Sequence, residues 1–187
     1  TQASFEAVSG WTTTGLSVVD VTQVSHLILL WRSTMQLAGG AGLAVIMLSA
    51  MTGPTGPAVS TAEGRELLVP HVRQSAKLVV RIYLVYMCGG TAALYLAGMG
   101  WFDAINHAFA AISTGGFSTR VESIGYWDSP IVEAVIVLLM ILGNLSFVTA
   151  WMLLRGKFAA VLRNGEVRLM GVLLPISIVL LYFLTVH

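Results

Sequence analysis

Of 187 residues, 56% are hydrophobic and 10% charged, with a mean hydropathy of +0.82, an apolar excess that water-soluble domains do not carry and a membrane protein requires. Ten Lys and Arg against nine Asp and Glu leave a net charge of +1, which excludes the strongly basic surface of a nucleic-acid partner. The single cysteine, Cys88, excludes an internal disulfide, and with four scattered histidines it makes no recognisable metal set.

The chain opens on Thr1 without a charged leader and cleavage site, and is expected to be part of a longer protein. Residues 4–11 are apolar but too short to cross a bilayer, which needs about 20 residues of helix; they predict a re-entrant or surface half-helix running into TTTGLS. A first spanning helix is predicted over residues 27–51. The stretch 52–77 contains TGPTGP, whose prolines and glycines break helices, and predicts a polar linker. A second span covers 78–98, and residues 103–112 repeat the short apolar pattern, running into STGGFS. A third span is predicted over 131–154, a second polar link over 155–168, and a fourth span over 169–186. Arg32 and Arg81 lie near the starts of the first two spans, where long side chains reach the interface.

The link 155–168 carries Arg155, Lys157, Arg163 and Arg168 against one acid, and the earlier link with its helix edge carries Arg65, Arg73, Lys77 and Arg81 against two. The positive-inside rule makes both links cytoplasmic. The segments that lead into the small-residue motifs then face outside, with Glu6, Asp20, Asp103, Glu122 and Asp128 against Arg120, an acidic face expected to concentrate cations.

Shifted by 101 residues, the first half lies on the second: Ala7 on Ala108, Thr13 on Thr114, Gly15 on Gly116, Ser17 on Ser118 and Gly42 on Gly143. More telling is the shared order of short apolar segment, TTTGLS or STGGFS, polar stretch, long apolar helix. The predicted fold class is therefore an all-α membrane protein of repeated units: transmembrane helix, re-entrant pore half-helix with filter loop, transmembrane helix. Residues 1–51 hold the loop and second helix of a first unit, 78–154 a complete second unit, and 169–187 the first helix of a third, joined by the links 52–77 and 155–168. The alternative is a set of four unrelated helices with two surface amphipathic stretches.

Irregular backbone at membrane depth is tolerated only where protein or a water-filled path surrounds it. Cation filters are built from backbone carbonyls that replace the hydration shell, with glycine admitting the dihedrals that aim them. A half-helix whose C-terminal end points at the site adds a negative dipole. EAVSGW before TTTGL and INHAFAAI before STGGF fit that arrangement. The competing reading of TTTGL is a loop with a glycine helix cap.

FEAVSGWTTTGLSVV, WRSTMQLAGGAG, HAFAAISTGGFSTR and IGYWDSP resemble the first and second pore units of the Trk/Ktr/HKT superfamily of bacterial, fungal and plant potassium transporters, in particular the bacterial pore-forming subunits. The resemblance covers essentially the whole chain. It implies four covalently linked units around one pathway, with filter carbonyls here from Thr13, Thr14, Gly15 and Leu16 and from Thr114, Gly115, Gly116 and Phe117. It implies K+ as the transported ion, with no cofactor and no other metal. A homodimer of pore subunits on a cytosolic ring of nucleotide-binding regulatory subunits, multi-pass in the bacterial inner membrane, is implied as well. In plant members, serine at the position of Gly15 goes with sodium permeation, so glycine here implies a preference for potassium. One departure is Leu37, where relatives commonly carry an aromatic after the glutamine of WRxxxQ. The third and fourth loops, the gating intramembrane loop and the basic residue of the final helix fall outside this sequence.

Other features have plainer readings. GGAG at 39–42 fits close helix packing, and Trp31, Trp101, Tyr126 and Trp127 fit an aromatic belt. Glu133 reads as interfacial and His107 as a packed or interfacial histidine. Asn144 either faces the pathway or hydrogen-bonds a neighbouring helix. Two other function classes stay open: a membrane-embedded enzyme using the loops as a cleft, and a membrane anchor subunit with no pathway. Against the enzyme, Ser9, Ser113, His26 and His107 form no recognisable set of nucleophile, base and acid. We predict that a single cysteine at Thr61, on a background lacking Cys88, escapes an impermeant reagent in intact cells; labelling from outside would reverse the assigned orientation.

Overall fold

Long apolar runs separated by Gly, Thr and Pro leave the backbone few options but helices, and among the described residues, 2–51 and 72–185 of the computed structural model, no strand is present. In chain order the elements are α1 (Gln2–Trp11), α2 (His26–Met51), α3 (Val72–Leu96), α4 (Trp101–Ile112), a 3-10 turn (Ser123–Trp127), α5 (Pro130–Asn144), α6 (Phe147–Leu154), α7 (Phe158–Arg163) and α8 (Gly165–Thr185). The linker expected at 52–77, Thr61 included, lies up to residue 71 outside the described residues. Lys77–Leu96 of α3 and all of α8 are long and apolar enough to cross a bilayer. At 26 residues, α2 has a length of about 39 Å, also enough. The short segments are helices of 10 and 12 residues, as predicted for half-helices.

The chain forms two compact units, one ending at Asn144 and one beginning at Leu145. In the first, α4 is the centre: α2, α3 and α5 all pack on it, and α1 lies against α2. Its Ala-rich faces permit this: Ala104, Ala108 and Ile112 of α4 are buried, as are Ile82 and Leu94 of α3 and Val132 and Leu139 of α5. Gly90 of α3 leaves the space that Leu139 and Ala108 fill. Polar groups join helices as well: the Ser33 hydroxyl of α2 donates to Asn106 Oδ1 of α4, and Asn106 Nδ2 donates to the Phe102 carbonyl at 2.7 Å.

Glycine fixes how the long helices meet the half-helices. A Cβ on Gly39 would collide with the Trp11 carbonyl at the end of α1, and one on Gly143 with the Ile112 carbonyl at the end of α4. A Cβ on Gly42 would meet nothing within 4 Å. The structural counterpart of Gly143 is therefore Gly39, not Gly42 as the ungapped alignment expects. The reason is a three-residue longer connection after the second loop, since α5 starts 104 residues after α2 whereas the loops are 101 apart.

The single span expected over 131–154 is two helices. α5 ends at Asn144 and the chain restarts a helix at Phe147, because Ser146 acts as N-cap and its hydroxyl accepts the Thr149 N–H. In the second unit Glu166 braces that start: its carboxylate accepts the Ser146 N–H at 2.6 Å, the Ser146 hydroxyl at 2.7 Å and the Thr149 hydroxyl at 2.9 Å. Helix α7 occupies part of the expected polar link, and no residue of α8 is buried. Asn144 is exposed at the end of α5, and Glu133 is exposed in its first turn. We predict that Gly39→Ala and Gly143→Ala each cost the full-length protein about 1 to 3 kcal/mol, read as a lower midpoint of thermal unfolding in detergent, whereas Gly42→Ala leaves the midpoint unchanged.

Candidate functional site

The two loops that follow α1 and α4 have the same backbone. Thr13 and Thr114 lie in the left-handed region with φ of 53° and 52°, and Gly15 and Gly116 follow with φ of 79° and 84°. Positive φ is cheap for glycine and costs a β-branched residue about 1 to 3 kcal/mol. Identical local bonds hold both threonines there. Thr13 N–H donates to Gly10 O and Thr114 N–H to Ala111 O, each at 3.1 Å; Thr14 N–H reaches Ser9 O at 3.0 Å and Gly115 N–H reaches Ala110 O at 2.8 Å. The two threonine hydroxyls each donate to the preceding carbonyl, at 2.8 and 2.7 Å.

Just beyond each glycine a serine ties the loop back to its half-helix. The Ser17 hydroxyl donates to Glu6 Oε1 at 2.8 Å, and the Val18 N–H to Glu6 Oε2 at 3.2 Å. At the matching place in α4 stands His107. Its Nδ1–H donates to the Asp103 carbonyl at 2.8 Å, so in the neutral ring Nε2 accepts the Ser118 hydroxyl at 3.0 Å. Trp127 packs edge-on against the imidazole and Tyr126 against Trp127, so these two aromatics brace the second loop and are more than an interfacial belt.

Buried charge completes the frame. Glu6 accepts Arg32 Nε at 2.6 Å, and the two side chains are only 7% and 3% exposed. Arg32 thus does not reach for an interface, as its sequence position suggests. On the second loop Asp103 accepts the Thr119 hydroxyl at 2.6 Å and Arg120 Nη2 at 2.8 Å. Burial pushes the Asp103 carboxyl up, but the Thr119 and Arg120 bonds outweigh it and hold the group below its ordinary range. The Asp103 bond in turn raises Arg120, whose guanidinium also stacks 4.4 Å from the Tyr126 ring centre. Hydrogen bonds from Thr22, hydroxyl first, lower Asp20. Of the five acids expected to form a cation-attracting face, Glu6 and Asp103 are therefore already neutralised by arginines.

The structure brings Gly15 against Gly115 and Gly116: a Cβ on Gly15 would strike the Gly115 carbonyl, so the loops meet glycine to glycine. Above this contact opens a cup of about 540 Å³ lined by residues of both loops, among them Gly15, Asp20, Gly116 and Ser118. Among the described residues, none of the bonds that fix the loops falls on the carbonyls of Thr13, Thr14, Gly15, Thr114, Gly115 or Gly116. Leu16 and Phe117 part company: the Leu16 carbonyl accepts the Ser9 hydroxyl at 2.6 Å and its side chain is 62% exposed, while Phe117 is buried, its N–H on Gln36 Oε1 at 3.2 Å. Glu6, Arg32, Gln36, Asp103 and His107 carry the frame together with the loop serines Ser17 and Ser118; a charged, amide or imidazole group inside an apolar segment is the only sequence signal for the first five, and it names no partner. Among the described residues no group of His, Cys, Asp and Glu is placed to hold a metal ion.

Longer apolar helices alternating with half-helices that end in strained, glycine-bearing loops define an α-helical membrane protein built on a repeated helix, half-helix, helix unit. Over residues 1–187 the sequence matches TrkH, the cation transport protein family, and the chain belongs to that family. It is 35% identical over 178 residues to the Trk system potassium uptake protein TrkH of Escherichia coli K12, covering 90% of this chain and 37% of that one. Against the Trk system potassium uptake protein TrkI of Halomonas elongata it is 33% identical over 188 residues, covering 97% and 38%. The crystal structure of the potassium transporter TrkH from Vibrio parahaemolyticus is similar at a TM-score of 0.60 and 35% identity, covering 74% of this chain and 28% of that one. The chain thus spans less than half the length of these relatives.

Proposed function

We propose that the loops after α1 and α4 are two segments of a potassium-selective filter, within a pore-forming subunit that carries K+ across the membrane through four such units. The carrying observation is the paired backbone. In both loops the sign of φ runs positive, negative, positive over three residues, an alternation that lets neighbouring carbonyls face one side, and among the described residues none of the bonds that hold the loop falls on those carbonyls. A dehydrated cation is the partner such carbonyls suit. The ends of α1 and α4, which carry negative partial charge, lie immediately before them.

The first loop supports the larger assembly. Leu16 and Thr14 are exposed where Phe117 and Gly115 are covered by α2, so the first loop has an open flank of the kind a further unit covers. The protein is then a transporter and not an enzyme, acts as a homodimer in the bacterial inner membrane, and is controlled by a cytosolic ring of nucleotide-binding subunits, with K+ as cargo and no cofactor. Relatives named for potassium uptake support the choice of ion, as does glycine at position 15.

In the full-length protein, Gly15→Ser and Gly116→Ser should each lower potassium over sodium flux at least tenfold with near-normal yield, because tenfold discrimination corresponds to only about 1.4 kcal/mol. Flux ratios untouched by both changes in well-folded protein would remove the loops from the pathway and leave TTTGL as a helix cap.

A further inference from the structure

One side chain touches both loops. From α2, Arg32 gives Nε to Glu6 at 2.6 Å and Nη2 to the Ser17 hydroxyl at 2.7 Å, which secures the first loop. The same guanidinium turns Nη1 toward the Ser118 carbonyl at 3.5 Å and lies 4.2 Å from the centre of the Phe117 ring, which belongs to the second. One helical turn further on, Gln36 is fully buried, accepts the Phe117 N–H, and presses its amide against Gly115. The planar, fixed fork of arginine is what permits several acceptors to be held at once; an ammonium on a flexible stem cannot reproduce it.

Helix α5, which follows the second loop as α2 follows the first, carries no such clamp. At the 104-residue offset that matches α2 to α5, Arg32 corresponds to Ile136 and Gln36 to Met140. These two apolar side chains line a cavity of about 110 Å³ beside His107 and Phe117. Within this chain, the helix after the second loop therefore carries no counterpart of the polar, ion-paired joint that α2 makes between the first and second loops.

We propose that Arg32 is a positioning residue that sets the alignment of the first filter segment against the second, and through it the ion discrimination of the pore. The proposal rests on the filter reading above. Glu6 is its counter-charge and Ser17 the relay to the loop; neither Arg32 nor Glu6 need touch the ion.

The test is made in the full-length protein reconstituted in liposomes, with potassium over sodium flux as readout and Gly15→Ser in parallel. Arg32→Lys keeps the charge and loses the fork, and should lower the flux ratio about three- to tenfold with normal yield and a monodisperse profile. Ile136→Leu, at the equivalent place in α5, should leave the ratio unchanged. Ser17→Ala removes only the relay hydroxyl and should lower the ratio by a smaller factor; combined with Arg32→Lys it should add little, since both act through one contact. An unchanged ratio in folded Arg32→Lys, where Gly15→Ser lowers it, overturns the positioning role and spares the filter. If neither changes it, the filter reading itself falls. Should Arg32→Lys be recovered poorly, Ser17→Ala decides: a lowered ratio supports the role and an unchanged one overturns it.

Discussion

A backbone that leaves the helix inside a bilayer must find partners for its peptide groups within the protein, and the structure is arranged around that requirement. Each loop is anchored from its own half-helix by one polar side chain, Glu6 or His107, that takes the hydroxyl of the serine two residues past the glycine. A carboxylate as buried as that of Glu6 would be costly alone; Arg32 neutralises it, and removing either partner of such a buried pair costs about 3 to 5 kcal/mol. The close approaches at Gly39 and Gly143 follow from the same need, because they bring α2 and α5 down onto the carbonyl ends of the half-helices. The central place of α4, packed by three helices, makes the second loop the more enclosed of the two.

The repeat conserves geometry while exchanging chemistry. Carboxylate at 6 answers imidazole at 107, Arg32 answers Ile136, Gln36 answers Met140, and Ser9, whose hydroxyl occupies the Leu16 carbonyl, answers Ala110. The left-handed threonine and glycine are nevertheless kept at both sites to within a few degrees. Strain retained twice, against different surroundings, points to the loop conformation as the property being held. The arrangement of the neighbouring residues differs because the first loop meets another loop through a charged side chain and the second meets apolar α5.

The half-helices could be read in the sequence to within two residues, since both their shortness and the small residues that end them are local signals. So could α2; α3 and α8 were legible as long apolar runs, but they start six and four residues ahead of the predicted spans. The Glu6 to Arg32 pair could not: the partners are 26 residues apart, and only the packing of α1 on α2 makes Arg32 a buried ligand instead of an interfacial side chain. The same holds in part for the break after Asn144: Gly143, Asn144 and Ser146 mark it locally inside an apolar run, but the carboxylate that braces it, Glu166, lies 20 residues beyond Ser146. The three-residue gap escaped the alignment because a glycine happened to fall at Gly42 as well as at Gly39, and glycine identity carries no information about which backbone it faces. The candidate carbonyls of residues 13–15 and 114–116 were legible from motif and resemblance; the side chains that hold them were not.

The proposed filter makes a direct structural claim about where the ion resides. Crystals of the full-length protein grown in rubidium, which substitutes for potassium and scatters anomalously, should show anomalous peaks within coordinating distance of the carbonyls of Thr13, Thr14 and Gly15 and of Thr114, Gly115 and Gly116, and these peaks should vanish when rubidium is exchanged for sodium. Rubidium bound elsewhere in the protein, with no density between these loops, would contradict the account.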